Sequence, residues 1–343
     1  MSEPRRMVLI ALAILCLPSA VAASPDPLFN DDSTLRVVIT APLSTLIRER
    51  PDDQYLAGVF SYREADGSAI ELDLQIRARG NFRLRNCDFP PLYLNFRKSQ
   101  VEGTLLENQD RLKMVVHCKD SGHYQQSLLR EYLAYRLLNV LTEESFRVRL
   151  LEVTYVDSDE RRGRMVRSAF LIEHESRLAE RIGRERVDIA RTEVSAIQPE
   201  HLNLTSLFQY LIGNTDFSPN LGSNQECCHN YAMFGGDGGL LLAVPFDFDL
   251  AGFVNAPYAE PDPELGIESV RQRLYQGHCI NNAYVEASIS RFNQARETLY
   301  ALVAEQQELE PVVRQSIAGY MDEFYAVIGS PQQVEQQIIG KCI

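Results

Sequence analysis

The run AIELDLQIRARG, residues 69–80, constrains the fold most. Ile70, Leu72, Leu74 and Ile76 alternate there with Glu71, Asp73, Gln75 and Arg77. Side chains two apart share one face of an extended strand, so the spacing predicts a strand with an apolar inner face and a wet outer one. Strands of that kind build antiparallel sheets rather than parallel sheets buried on both faces. Similar strand-like runs surround it: LRVVITAP (35–42), YLAGVFSYRE (55–64), PLYLNF (91–96) and LKMVVHC (112–118). With Gly67 in the turn before the alternating run, these segments predict an antiparallel meander.

A change of period marks the first long helix. In QQSLLREYLAYRLLNVL, Leu129, Tyr132, Leu133, Leu137 and Val140 recur at helical spacing. Two further strands, 146–156 and 163–173, flank the polar turn DSDERR. A charged stretch, 176–191, reads as helical, and LTSLFQYLIG (204–213) reads as a second strong helix with Asn203 at its N-cap. A long polar loop leads into the hairpin HNYAMF, GGDGG, LLLAVPFDFD, and three helices fill 284–340 after a Pro-rich loop. The order predicts an α+β chain in four parts: a leader (1–23), a flexible leading segment (24–33), a strand-rich N-terminal lobe with one main helix (34–175) and a helical C-terminal lobe around a small hairpin (176–343).

The leader has the form of a secretory signal peptide. Arg5 and Arg6 precede an apolar core from Met7 to Leu17, small residues run from Ser19 to Ala23, and the stretch is too short to span a bilayer. Ile14 and Leu15 are too bulky before Cys16 for lipid attachment. Export to the periplasm or cell exterior follows, and nothing after the leader is long enough to cross a membrane. Cleavage removes one of seven cysteines and leaves Cys87, Cys118, Cys227, Cys228, Cys279 and Cys342. An even number in an exported chain favours disulfides over a zinc site, since no C-x-x-C pair is present. Cys87 is expected to join Cys118, with Cys227 and Cys228 reaching Cys279 and Cys342. The net charge of -13 excludes nucleic acid or an anionic membrane as the main partner.

The stretch LLLAVPFDFDLAGF carries the chemistry. Asp247 and Asp249 sit two apart among Phe246, Phe248 and Leu250, where bare carboxylates are costly unless paired, hydrogen-bonded or metal-bound. In a continuous strand they would face the same way, roughly 7 Å apart by strand rise, and suit a divalent cation. The antiparallel partner strand would bring Asn230 near them, and the helix ending at Gly213 would release Asp216 beside both. Phosphoryl transfer needs such a set: one Asp to orient the attacking hydroxyl, with an Asn and an Asp to hold the metal on the nucleotide phosphates. The six histidines are scattered, and neither an H-E-x-x-H helix nor a G-x-S-x-G elbow occurs.

LIGNTDFSPN with HNYAMFGGDGGLLLAVPFDFDLAGF resembles the core of the spore-coat CotH kinase family. RARGNFRLRN (77–86), SLLREYLAYRLL and SAFLIEHESRL (168–178) resemble further pieces of that family in the same order, so the likeness spans roughly residues 70–255. The resemblance implies a protein-kinase-like bilobal fold, ATP with Mg²⁺ or Mn²⁺, and phosphorylation of an exported protein on Ser or Thr. It implies Asp216 as the catalytic base, and Asn230, Asp247 and Asp249 as metal ligands. Arg79, Gly80 and Asn81 would cover the phosphates, and Glu173 would stand behind the adenine. Pro90 and Pro91 occupy the place of the family's lysines. A phosphate-binding cation must then come from Arg83, Arg85 or Lys113, with Glu131 as the partner of Lys113. The competing reading is a catalytically inactive binding or scaffold protein of the cell envelope; a metal-dependent phosphoester hydrolase would need further ligands.

Overall fold

The computed structural model describes residues 26–221, 227–235 and 239–343. The expected leader and Cys16 lie outside those residues, as do 222–226 of the polar loop and 236–238 of the GGDGG turn. Seven strands form the first half: β1 (Leu35–Ala41), β2 (Leu56–Arg63), β3 (Ala69–Ala78), β4 (Leu92–Asn95), β5 (Arg111–Val115), β6 (Val148–Asp157) and β7 (Met165–Ile172). Alternation places Leu72, Leu74 and Ile76 of β3 inside, as the sequence predicts. They meet Ile39, Phe60 and Leu94 in an apolar interior.

The sheet does not stay open. Its order is β1-β2-β3-β4-β5-β7-β6, and β6 returns parallel to β1, pairing Leu35 with Leu151 and Ala41 with Asp157. The result is a closed, seven-stranded mixed barrel with helices packed around it. This contradicts the expected bilobal, protein-kinase-like fold with a strand-rich N-lobe. The reason is physical: period-two patterning says which face of a strand is buried, not which distant strand it pairs with. Pairing β1 with β6 satisfies two rows of main-chain groups that an open sheet leaves as edges. The leading segment, expected to be flexible, is anchored to this barrel: Leu28 and Phe29 are buried in its core, and Asp31 pairs with Arg149 at 2.7 Å.

Helices occupy the connections and the second half. α1 (Leu43–Glu49) follows β1, while α2 (Phe82–Asn86) and α3 (Lys98–Val101) are short turns after β3 and β4. α4 (Gly122–Leu141) is the long helix, and it joins the two halves: its Tyr132 and Tyr135 rings meet Phe170 of β7 at 6.0 and 5.8 Å, and Tyr135 meets Phe248 at 4.6 Å. α5 (Glu175–Arg181) covers only part of the charged stretch expected to be helical. Gly183 takes a left-handed φ of 66°, and Glu185–Arg186 becomes the short strand β8.

α6 (Pro199–Ile212) begins earlier than its apolar period suggests, because Pro199 suits the first turn, where no amide donor is needed. Asn203 is therefore a buried helical residue and not a cap. Its Nδ2 donates to the Asn281 carbonyl at 3.2 Å, and its Oδ1 accepts from Ser288 Oγ at 2.7 Å. β9 (Tyr231–Gly235) and β10 (Leu242–Pro245) form the expected hairpin and, with β8, a three-stranded sheet. α7 (Val285–Glu305), α8 (Pro311–Ile328) and α9 (Pro331–Gln337) pack with α4 and α6 around Phe292, Leu299, Met321 and Phe324.

The expected Cys87–Cys118 disulfide is present. The other two pairings differ from expectation: Cys279 joins Cys342, and Cys227 joins its neighbour Cys228. Such bonds are the chemistry of an oxidising compartment. Among the described residues no helix is long and apolar enough to cross a membrane.

Candidate functional site

Strand β10 stops at Pro245, so the acidic pair is not on a strand. Asp247 takes a left-handed φ of 62°, and its backbone N–H donates to Tyr135 Oη at 2.8 Å instead of to a ladder partner. Phe248 is turned fully inward onto Tyr135 and Phe208. Both carboxylates nevertheless converge, on an arginine. Arg83, carried by α2, lies 2.7 Å from Asp247 Oδ1 through Nη2 and 3.3 Å from Asp249 Oδ2 through Nε. Its Nη1 reaches Glu131 Oε2 of α4 at 3.0 Å.

The Cys87–Cys118 bond holds the chain directly after α2 against the segment that follows β5, which fixes Arg83 at this crossing. Burial works against the Arg83 charge, but Asp249 and Glu131 more than offset it and raise its pKa well above the usual value. The Glu131 and Asp249 carboxyls are pushed up by burial, against the pull of Arg83. Tyr258 Oη also donates to Asp249 Oδ2 at 2.9 Å. Three carboxylates thus share one guanidinium, and Asp249 is enclosed by Arg83 and Tyr258. Asp247 is the half-exposed member, with a side chain 36% accessible.

The second group stands at the mouth of the hairpin. Ser218 bridges to His229, which brings the loop after α6 alongside the start of β9. Asp216 Oδ1 lies 2.6 Å from His229 Nε2, and Asn230 Nδ2 donates to Asp216 Oδ2 at 3.0 Å. The hydrogen bond to Asp216 raises the His229 pKa above its ordinary value, and the charges of Asp216 and Asp247 add to the effect. Asn230 has a left-handed φ of 56°, and its carbonyl accepts from the Phe246 N–H at 3.0 Å. Asn230 thus meets Asp216, and Asp247 stands close enough for its charge to act on His229.

The remaining expected residues divide. Arg79, Lys113, Phe246 and Asp247 line one narrow pocket with Arg83. Lys113 does not pair with Glu131. Glu131 belongs to Arg83, and Lys113 Nζ meets Glu175 Oε1 at 3.0 Å while lying 5.1 Å from the centre of the Phe246 ring. Burial pushes the Glu175 carboxyl up, yet Lys113 and Arg186 hold it at about 2. Arg79 leans over Tyr93 beside Arg77 and Arg111, Gly80 turns the chain with φ 92°, and Asn81 precedes α2 without capping it. Glu173 is buried and engaged by Arg181 at 2.8 Å and by the Arg147 N–H at 3.0 Å, which makes it a structural anchor.

Two positions gain importance that spacing did not show. Arg83 is a suggested phosphate ligand in the sequence, but its seat among three acids depends on a disulfide and on α4. His229 is one scattered histidine among six, and only the Ser218 bridge brings it to Asp216.

A divalent cation can be tested against these atoms. Among the described residues no group of three His, Cys, Asp or Glu side chains is set to hold a metal ion. Asn230 Oδ1 and Asp247 Oδ2, however, carry no hydrogen bond within those residues. Two hard oxygens suit Mg²⁺, which keeps several waters and takes its remaining ligands from substrate phosphates. The chain matches no protein-family model and no curated protein.

Proposed function

We propose that this chain is a phosphotransferase that moves the terminal phosphoryl group of ATP onto a Ser or Thr hydroxyl of an exported protein, in the periplasm or outside the cell. The carrying observation is the contact of Asn230 with Asp216 at the mouth of the hairpin, next to the segment whose Asp247 lines a narrow pocket with Arg79 and Lys113. A Mg²⁺ or Mn²⁺ ion held by Asn230 Oδ1 and Asp247 Oδ2 would offset charge on the nucleotide phosphates.

The protein groups have separate tasks. Lys113 and Arg79 attract and orient phosphate oxygens at the pocket wall. Asp216 orients the acceptor hydroxyl and takes its proton as the oxygen attacks the γ-phosphorus and the bond to the bridging oxygen breaks. His229, 2.6 Å from Asp216, holds that carboxylate in place and shares the proton afterwards. Arg83 sets the position of Asp247 without reaching solvent.

A second reading, a non-catalytic binding module of the cell envelope, is favoured by the Arg83 contacts that already occupy Asp247 and Asp249. Two measurements separate the readings. ATP with Mg²⁺ is expected to raise the Tm of the wild type and not that of Asp247→Ala. Label from γ-labelled ATP is expected on protein hydroxyls with the wild type and not with Asp216→Asn. Equal Tm shifts for both forms, or for neither, would overturn the site. A wild-type shift without label transfer would establish the binding module.

A further inference from the structure

A cavity of about 540 Å³ opens at the barrel surface between α1, the chain after β5 and the turn that enters β7. It shares no lining residue with the pocket of Arg83 and Asp247, and neither Asp216, His229 nor Asn230 lines it. Its size is that of an ordinary small-molecule site. The inner wall is aromatic: the Phe89 ring stands 5.1 Å from His117 and 5.0 Å from Tyr155. Leu43 and Ile47 of α1 and Met165 extend the apolar lining.

Two polar atoms are orphaned in that wall. His117 is 2% exposed and Tyr155 is fully buried, yet His117 Nδ1 and Tyr155 Oη have no hydrogen-bond partner among the described residues. Buried polar atoms are nearly always partnered, because stripping them of water without replacement is costly. Burial pushes the His117 pKa down to about 4, so near neutral pH the ring is uncharged and offers one nitrogen as donor and the other as acceptor.

The rim has the opposite character. Arg162 and Arg164 are exposed and form no ion pair among the described residues, whereas Arg167 is held by Asp120. Asp88 is the remaining rim carboxylate, so the mouth is cationic on balance in a chain of net charge -13. A cationic mouth over an aromatic floor with unpaired hydrogen-bonding groups selects an amphipathic anion.

We infer that this cavity is a binding site for a small organic acid with an aromatic body, its acid group on Arg162 and Arg164 and its ring against Phe89, within reach of His117 and Tyr155. Calorimetric titration with 2-naphthoate and 4-phenylbutyrate tests it, with naphthalene-2-carboxamide as the uncharged control. Saturable one-to-one binding of at least one acid is expected, weakened roughly tenfold or more by the carboxamide change and by Arg162→Ala/Arg164→Ala. Tyr155→Phe is expected to weaken binding while raising the Tm, since it deletes an unpaired hydroxyl; a merely structural hydroxyl would move the Tm alone. No saturable binding of either acid, or wild-type affinity in both variants, overturns the site. A crystal soaked with 2-naphthoate that shows only an ordered water between His117 and Tyr155 overturns it as well.

Discussion

The two acidic groups of the candidate site differ in how their charges are answered. Around Arg83, Glu131 and Asp249 are enclosed with the guanidinium and Asp249 is also held by Tyr258, while Asp247 stays half-exposed. Around Asp216, the carboxylate, His229 and Asn230 are half-buried, and Asn230 Oδ1 carries no hydrogen bond within the described residues. A charge whose hydrogen-bonding capacity is used up by neighbours sets geometry; one that keeps access to solvent and spare lone pairs is available to a substrate. Asp247 stands between the groups: one oxygen is on Arg83, and its charge acts on His229. That position makes it the hinge between structure and chemistry in this molecule.

Removing the enclosed cation should have the largest effect. Arg83→Met leaves Glu131, Asp247 and Asp249 without their shared partner and is expected to cost about 3–5 kcal/mol of stability, because an uncompensated buried charge remains. Urea denaturation measures this, and a loss below ~1 kcal/mol would show that the cluster does not hold the fold. Asp216→Asn addresses the other group. Phosphoryl transfer should fall by about 10²–10⁴-fold while the urea midpoint hardly moves, since the side chain is only partly buried. A drop in stability with unchanged transfer would exchange the roles assigned to the two groups.

The smallest effect is a titration. Asp216 raises the His229 pKa, so the contact contributes stability that is fully present below about pH 6.5 and fades as pH climbs through the raised value. In Asp216→Asn the His229 midpoint, followed by NMR, is expected to fall toward its ordinary value. An unshifted midpoint would mean that the 2.6 Å contact does not persist in solution.

Much of the local architecture is readable in the chain. The alternation in β3, the long helix α4 and the β9–β10 hairpin follow from period-two and helical spacing, and Cys87 finds Cys118 as expected. The meeting of Asp216 with Asn230 is also legible, since a helix end and a hairpin bring them together. Other parts are not. The strand expected to carry Asp247 ends at Pro245 because Tyr135, on α4, takes up the Asp247 N–H. The partner of Lys113 is Glu175 and not Glu131, because α2 delivers Arg83 to Glu131 first.

The alternation of β3, the period of α4 and the β9–β10 hairpin are written in the chain, because they depend on neighbours a few residues apart. Packing alone fixes the closure of the barrel by β6 on β1, the seat of Arg83 among three carboxylates, and the meeting of His229 with Asp216. Each of these brings together groups from separate elements. Such pairings are selected by the combined satisfaction of main-chain groups and buried charges, a property of the whole packed chain and of no single stretch within it.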